Sequence, residues 1–203
     1  MKKFILLCAV CAAPVFFMLS CGSDPSVSRV PSNSLTDLSG YWNNTDVRIV
    51  CTSLIDSCLN SSRIARFSTE NGRLPRIKIG TFKNNTDEHL DPTIIPNTMK
   101  VVITNSGRAE FVADSATQNE LRAEKQDQLS AASYETAASI GNETAADFML
   151  TGSVKTIVDR AGLSSTRTYI VNAELTHIET GVIYWTDENS EIKKVVQQPK
   201  VKF

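Results

Sequence analysis

The residues with the clearest chemistry lie near the N-terminus, where a thiol follows apolar and small side chains. Cys21 ends the sequence Met-Leu-Ser-Cys, which has the pattern of a bacterial lipobox. In such a motif the cysteine thiol receives a diacylglyceryl group and the cysteine becomes the new N-terminus. Met18 stands where leucine is usual, and an ordinary signal peptide with an incidental cysteine is the alternative. We predict lipid attachment at Cys21.

The stretch before Cys21 is organised as a secretion signal. Lys2 and Lys3 form a positive n-region, and residues 4–17 form an apolar run of about 14 residues, shorter than the roughly 20 that span a bilayer. We therefore predict that residues 1–20 are a lipoprotein signal peptide. Two or more acyl chains on Cys21 would anchor the exported protein stably to a membrane.

Residues 21–38 are predicted to be the lipidated cysteine and a flexible tether, because they are rich in serine and lack an apolar period. Fully extended, the tether would span about 55 Å. Gly22 follows the cysteine, where aspartate would favour inner-membrane retention in enterobacteria. We expect an outer-membrane location, with residues 39–203 as one domain that faces the periplasm.

Charge and composition exclude several classes of function. Loss of Lys2 and Lys3 with the signal leaves 19 basic against 22 acidic side chains, so clustered phosphate neutralisation, and with it nucleic-acid binding, is not expected. The sequence contains two histidines and no HExxH, GxSxG or phosphate-binding glycine loop. His89 beside Glu88 and Asp91 is a conceivable metal corner, but a capped turn is favoured. We predict no enzymatic activity, no cofactor and no metal site.

Two cysteines remain in the predicted domain, on a helix predicted at residues 47–59. Cys51 and Cys58 are two helical turns apart, about 10.5 Å along the axis, whereas disulfide-bonded residues have Cα atoms within about 7 Å. We predict buried thiols instead of a disulfide or a metal pair.

Apolar periodicity predicts helices that alternate with strands in the first part of the domain. The predicted elements are the helix at 47–59, a loop at 63–74, a strand at 76–82, a helix at 93–105 and a short strand at 109–113. Thr45 or Asn44 is predicted to cap the first helix, Gly80 to mark a bulge or close backbone approach, and Pro96 to interrupt the second helix.

The second part is predicted to end in paired strands. Its predicted elements are a polar helix at 115–132, a helix at 134–145, strands at 147–158 and 166–177, and a strand from 182 that continues to 196. The polar helix presents either a solvated face or a partner-facing surface. The expected fold class is α/β, a layered sandwich of two or three layers with a mixed sheet and a C-terminal antiparallel meander.

Short motifs spread over residues 39–196 carry a resemblance to a known family. They are SGYWNNTD at 39–46, GTFKNNTDEH at 80–89, NSG at 105–107, LRAE at 121–124 with Gln128, ADFMLTGS at 146–153, ETG at 179–181 before Trp185, and IKK at 192–194. Together they resemble the LpoB family, lipoproteins that activate penicillin-binding proteins. Related patterns occur in the TolB N-terminal-like fold and in the curli-secretion lipoprotein CsgG.

The resemblance implies a non-enzymatic, monomeric outer-membrane lipoprotein with a TolB N-terminal-like domain. Such a domain docks on a bifunctional (class A) penicillin-binding protein and stimulates glycan polymerisation and peptide cross-linking. The best-known members have a longer tether than residues 21–38. An alternative is a component of a curli-secretion-like envelope complex, which would form a ring, and a third hypothesis is a small-ligand binding domain.

Aromatic side chains carry a large share of the energy of protein interfaces. Trp42 is predicted to be either a hydrophobic staple at the first helix or an exposed anchor, whereas Trp185 is expected in the core. The predicted partner-binding residues are Tyr41, Trp42, Asn84, Asn85 and His89.

Overall fold

The computed structural model describes residues 28–31, 34, 37, 39–131 and 145–198. The chain divides into two units, Met1–Ser34 and Leu35–Phe203. Within the first, the backbone N–H of Ser34 donates to the carbonyl of Pro31 at 3.0 Å. All the helices and strands described below belong to the second unit.

The second unit combines helices and strands in an order close to that predicted. Its described helices are α1 (Asn44–Leu59), α2 (Ser62–Asn71), α3 (Ile94–Ser106) and α4 (Ser115–Ala131). Its described strands are β1 (Arg76–Asn85), β2 (Glu110–Phe111), β3 (Phe148–Ala161), β4 (Ser164–His177), β5 (Ile183–Asn189) and β6 (Lys193–Gln197). The helix predicted at 134–145 falls outside the described residues, except for Ala145.

The strands form a six-stranded mixed sheet in the order β2-β1-β3-β4-β5, with β6 also paired to β4. Strand β1 runs parallel to β2 and β3, whereas β4 is antiparallel to β3, β5 and β6. A parallel pair needs a crossover connection, and α3 lies in the connection between β1 and β2. The predicted α/β class, mixed sheet and C-terminal antiparallel meander are confirmed.

The last strand prediction is wrong in one respect, because residues 182–196 form two strands instead of one. Strand β5 pairs with residues 171–176 of β4, and β6 pairs with residues 164–168. The chain turns between them at Asn189, whose side chain accepts from the N–H of Glu191 at 3.2 Å and donates to Ser53 Oγ at 3.2 Å.

One hydrophobic core joins α1, α2 and α3 to a single face of the sheet. Alternate residues of the central strands face the helices, and from β3 and β4 these are Phe148, Leu150, Val154, Tyr169, Val171, Ala173 and Leu175. Met99 and Ile103 of α3 are fully buried against them. Burial of each large side chain contributes about 1.5–3 kcal/mol, so this two-layer contact is the main stabilising interaction.

Two predictions about the starts of helices are corrected. The cap of α1 is Asn43, whose side chain accepts from the N–H groups of Thr45 and Asp46 at 2.9 and 3.0 Å. The carboxylate of Asp46 accepts from the N–H of Asn43 at 2.9 Å, which completes a capping box. Pro96 is the third residue of α3 and does not interrupt it, because N–H groups in the first turn have no intrahelical partner.

The loop predicted at 63–74 is wrong, since most of it belongs to α2. Ile64 and Phe67 are three residues apart and both are buried, so they share one helix face. Ser61 caps the helix by accepting from the N–H of Ile64 at 3.4 Å, and Gly72 ends it with a φ of 61°.

Strand β1 contains the irregularity predicted at Gly80. Its pairing with β3 shifts register between Ile79 and Phe82, which is the signature of a bulge. Ile77 and Phe82 are both buried, although they are an odd number of residues apart. The bulge therefore exchanges the two faces of the strand, and Thr81, Lys83 and Asn85 point away from α1, α2 and α3.

Candidate functional site

Residues from four distant stretches of sequence meet beside β6. We call Asp37, Asp46, Glu88, Arg167, Tyr169 and Lys194 the junction cluster. It joins the start of α1 with the residues before it, the turn that follows β1, the first half of β4, and β6. Two cations organise it, and each is less than one-seventh exposed.

Lys194 is the buried cation that holds the chain before α1 against β6. Its ammonium donates to Asp46 Oδ2 at 2.6 Å and to Asp37 Oδ1 at 2.9 Å. A third bond, at 2.7 Å, goes to the carbonyl of Tyr41. Burial alone would lower the pKa of Lys194, but Asp46 and Asp37 outweigh burial and raise the pKa above its ordinary value. The lysine therefore remains charged inside the domain.

Arg167 joins β4 to the turn after β1. Its guanidinium donates to both carboxylate oxygens of Asp87 at 2.8 and 2.7 Å and to Glu88 Oε1 at 2.9 Å. Bidentate pairing of this kind is geometrically specific. Hydrogen bonding to Arg167 lowers the pKa of Asp87 and in return raises the pKa of Arg167. The ring of Tyr41 lies 5.1 Å from the guanidinium carbon.

Tyr169 connects the junction cluster to the hydrophobic core. Its ring is buried, and its hydroxyl contacts the carboxylate of Glu88 and, at 3.1 Å, the carbonyl of Gly40. Burial and the negative charge of Glu88 raise the pKa of Tyr169, so it stays neutral. The ring of Trp42 packs edge-on against Tyr169 with centroids 5.0 Å apart. These contacts hold Gly40 and Trp42 on β4.

The structure brings three of the five predicted partner-binding residues to this cluster. Tyr41 is 55% exposed above Arg167, whereas Trp42 is half-buried and its N–H donates to Glu88 Oε2 at 3.2 Å. Asn84 shapes the turn by donating to the carbonyl of Glu88 at 2.8 Å. Asn85 and His89 are exposed, and neither hydrogen-bonds to the cluster within the described residues.

The acidic side chains beside His89, considered above as metal ligands, form other contacts. Glu88 binds Arg167 and Tyr169, and Asp91 accepts from the N–H of Thr93 at 2.8 Å. Across the described ranges, no three histidine, cysteine or acidic side chains are grouped to hold a metal ion.

Sequence reasoning missed Arg167, Tyr169 and Lys194 as members of a site. The alternation of β4 offered one clue. Arg167 is an even number of residues from the buried Tyr169 and Val171, so its side chain leaves the strand on the same, inward-facing side. A charged residue at an inward-facing position needs a buried partner. Its partners are about 80 residues away in sequence, and no local pattern identifies them.

The described part of the chain contains no helix of sufficient length and apolarity to cross a membrane.

Comparison with solved structures finds distant likenesses to several proteins. The LpoB C-terminal domain from Escherichia coli is 16% identical with a TM-score of 0.45, over 75% of this chain and 99% of that one. The Salmonella enterica domain is 16% identical with a TM-score of 0.42, over the same shares. A lipoprotein from Neisseria meningitidis is 13% identical with a TM-score of 0.33, over 62% of this chain and 87% of that one.

No curated protein sequence matches the chain significantly. The family model described as "Peptidoglycan-synthase activator LpoB" matches residues 46–191, which is well over half of the chain and includes most of the junction cluster. The chain belongs to the LpoB family of peptidoglycan-synthase activators.

Proposed function

We propose that the protein is an outer-membrane lipoprotein, anchored through Cys21, that binds and activates a bifunctional class A penicillin-binding protein. The observation that carries this proposal is the family match over residues 46–191. The lipobox before Cys21 and the apolar run at 4–17 support the anchor. The protein acts as a monomer and contributes binding, while catalysis belongs to the synthase.

The proposed docking surface centres on Tyr41 and includes Asn84, which donates to the carbonyl of Glu88, and the exposed His89 in the same turn, whereas the side chain of Asn85 lies on the opposite face of the sheet. Tyr41 is held in place because its carbonyl accepts from Lys194 and its ring lies on Arg167. A rigid, exposed aromatic side chain loses little conformational entropy on binding and buries a large area. Trp42 supports this surface from beneath through Tyr169.

The first test is in-cell cross-linking of affinity-tagged full-length protein, followed by mass spectrometry. Recovery of a bifunctional penicillin-binding protein is the expected result, with cross-links near Tyr41. Recovery of a ring of this chain alone, or of secretion components, would contradict the proposal and favour a secretion complex.

The second test measures polymerisation of lipid-linked precursor by the recovered synthase. Addition of the lipoprotein should raise the rate several-fold, and Tyr41→Ala should remove most of the increase. Leu163→Ala, which alters an equally exposed apolar side chain in the β3–β4 turn, serves as the matched control. An unchanged rate with the wild-type protein would refute activation.

A further inference from the structure

The sheet face opposite α1, α2 and α3 carries a depression of about 500 Å³, which we call the polar trough. Side chains from β1, β3, β4 and β5 line it, and those used below are Lys83, Asn85, Thr151, Ser153, Lys155 and Glu174. Its size is in the usual range of ligand sites, but most such sites are lined by apolar groups. Because the trough is lined mainly by polar and charged side chains, it suits a polar ligand.

The bulge in β1 and the register of β3 place two ammonium groups on this face. Beyond the bulge, Lys83 pairs with Ser153, and Asn85 pairs with Lys155. The two lysines are thus diagonal neighbours on adjacent strands, with Cα atoms about 8 Å apart from the strand spacing and rise. Without the bulge, Lys83 would face the core.

The two lysines differ from Lys194 in having no ion-pair partner among the residues that the structure describes. Within the described ranges, neither Lys83 nor Lys155 forms an ion pair or a side-chain hydrogen bond, and the same holds for Asn85, Thr151 and Ser153. Hydroxyl, amide and ammonium groups therefore remain available in one concave area. At this spacing, each ammonium group can donate hydrogen bonds to a separate carboxylate of a ligand.

Glu174 adds a negative charge to the trough in the cross-strand position next to Thr151. Among the described residues, its carboxylate accepts only from Thr176 Oγ1, at 3.1 Å, and it can accept a further bond from an amine. A polyphosphate would be repelled by this group, whereas a ligand with both carboxylates and an amine meets a complementary charge at each point. This combination favours a zwitterionic peptide that carries free carboxylates.

We propose that the polar trough binds the peptide stems of peptidoglycan, with carboxylates on Lys83 and Lys155 and an amine on Glu174. The inference rests on the proposed function, because that function brings the domain to newly made glycan–peptide strands. Sugar hydroxyls and peptide amides next to the stem would bind Thr151, Ser153 and Asn85. The protein would then contact the product of the synthase as well as the synthase.

The test is calorimetric titration of the full-length lipoprotein in detergent with a disaccharide–peptide released from purified sacculi. Lys83→Gln combined with Lys155→Gln should weaken binding at least tenfold, and Glu174→Gln should weaken it when the stem amine is free. Lys100→Gln is the matched control, since Lys100 is exposed on α3 on the helical side. Circular dichroism confirms that each variant is folded.

Two ligand controls test whether the carboxylates and the amine of the stem are required for binding. Amidation of the stem carboxylates should remove binding, and equal binding of the amidated fragment would overturn the proposal. Equal binding of an unrelated acidic peptide without an amine would also overturn it, and would indicate an acidic protein partner. Stimulation of the synthase is measured in parallel. If the wild-type protein stimulates the synthase but does not bind the fragment, only the proposal that the trough binds peptide stems is refuted. Fragment binding without stimulation refutes the proposed function alone.

Discussion

Lys194 and Asp46 form an ion pair of 2.6 Å that joins β6 to the first turn of α1, and each side chain is less than one-tenth exposed. Asp46 also completes the capping box of α1. One carboxylate therefore serves both the local start of a helix and a contact 148 residues away in sequence.

Replacement of Lys194 by methionine should destabilise the domain. The change preserves most of the side-chain volume but leaves Asp46 as an uncompensated buried charge, which typically costs about 3 kcal/mol or more. Urea unfolding followed by tryptophan fluorescence measures the loss. Lys193→Met, at the exposed neighbouring position, should change stability by less than about 0.5 kcal/mol. Equal effects of the two variants would contradict the role assigned to Lys194.

Asp147 should make stability depend on acid pH. Burial alone would raise the pKa of Asp147, but hydrogen bonds from Arg73 and from the N–H of Arg76 hold the pKa below its ordinary value. A carboxylate with a lowered native pKa stabilises the fold above its unfolded pKa of about 3.9, and that stability is lost as pH falls through the native value.

The matched measurement compares the free energy of unfolding of the wild type and Asp147→Asn between pH 7 and pH 2. The difference should be constant above about pH 5 and shrink at lower pH. Asp159→Asn, which removes an exposed carboxylate of β3, is the matched control. A difference that persists unchanged at pH 2 would show that the charge of Asp147 is not the cause.

The two core cysteines should be unreactive in the folded protein. Burial raises the pKa of Cys51 and of Cys58 to about 12, so almost no thiolate exists at neutral pH. Iodoacetamide should label neither in the folded protein and both after denaturation, as measured by mass spectrometry. A third label in the denatured protein would show that Cys21 is not lipidated.

Gly152 should tolerate no side chain. A Cβ there would lie 2.4 Å from the carbonyl oxygen of Asn172 and 2.4 Å from Phe82 Cε1. Gly152→Ala should therefore cost about 3 kcal/mol through overpacking in the sheet. At Gly107 the added Cβ meets no atom within 4 Å, but the φ of 63° makes alanine about 1 kcal/mol unfavourable. Thermal unfolding of both variants should rank them in that order.

Tyr41 and Trp42 should separate binding from stability. Tyr41→Ala removes an exposed ring and should weaken synthase binding at least tenfold while the melting temperature stays nearly unchanged. Trp42→Ala removes the edge-on contact with Tyr169 and should lower the melting temperature. Surface plasmon resonance and calorimetry test the pair, and loss of binding only in Trp42→Ala would place the docking surface elsewhere.

Elements with a long apolar period were predictable from the sequence. Helices α1 and α3 and the β3–β4 hairpin each repeat buried residues over several turns or strand positions. Helix α2 was missed because Ile64 and Phe67 are its only buried residues. Two large apolar side chains in ten residues do not distinguish a helix from a polar loop.

The candidate site was predictable only where its residues are close in sequence. Tyr41 and Trp42 adjoin one another, and Asn84 belongs to a recognisable turn. Ion pairs such as that between Lys194 and Asp46 depend on which strands the fold places together. Local propensity contains no information about that choice, and so the junction cluster emerged only from the structure.

The junction cluster also has a mechanical consequence if the protein is anchored to a membrane through Cys21, as proposed. A pull transmitted through the residues before Asp37 would reach the domain at Asp37 and Gly40, which contact β6 through Lys194 and Val196. Arg167 and Tyr169 would pass the load on to β4, the most extensively paired strand of the described sheet. The domain can thus keep its shape, and its aromatic surface at Tyr41 can stay in place, while the proposed tether is under tension.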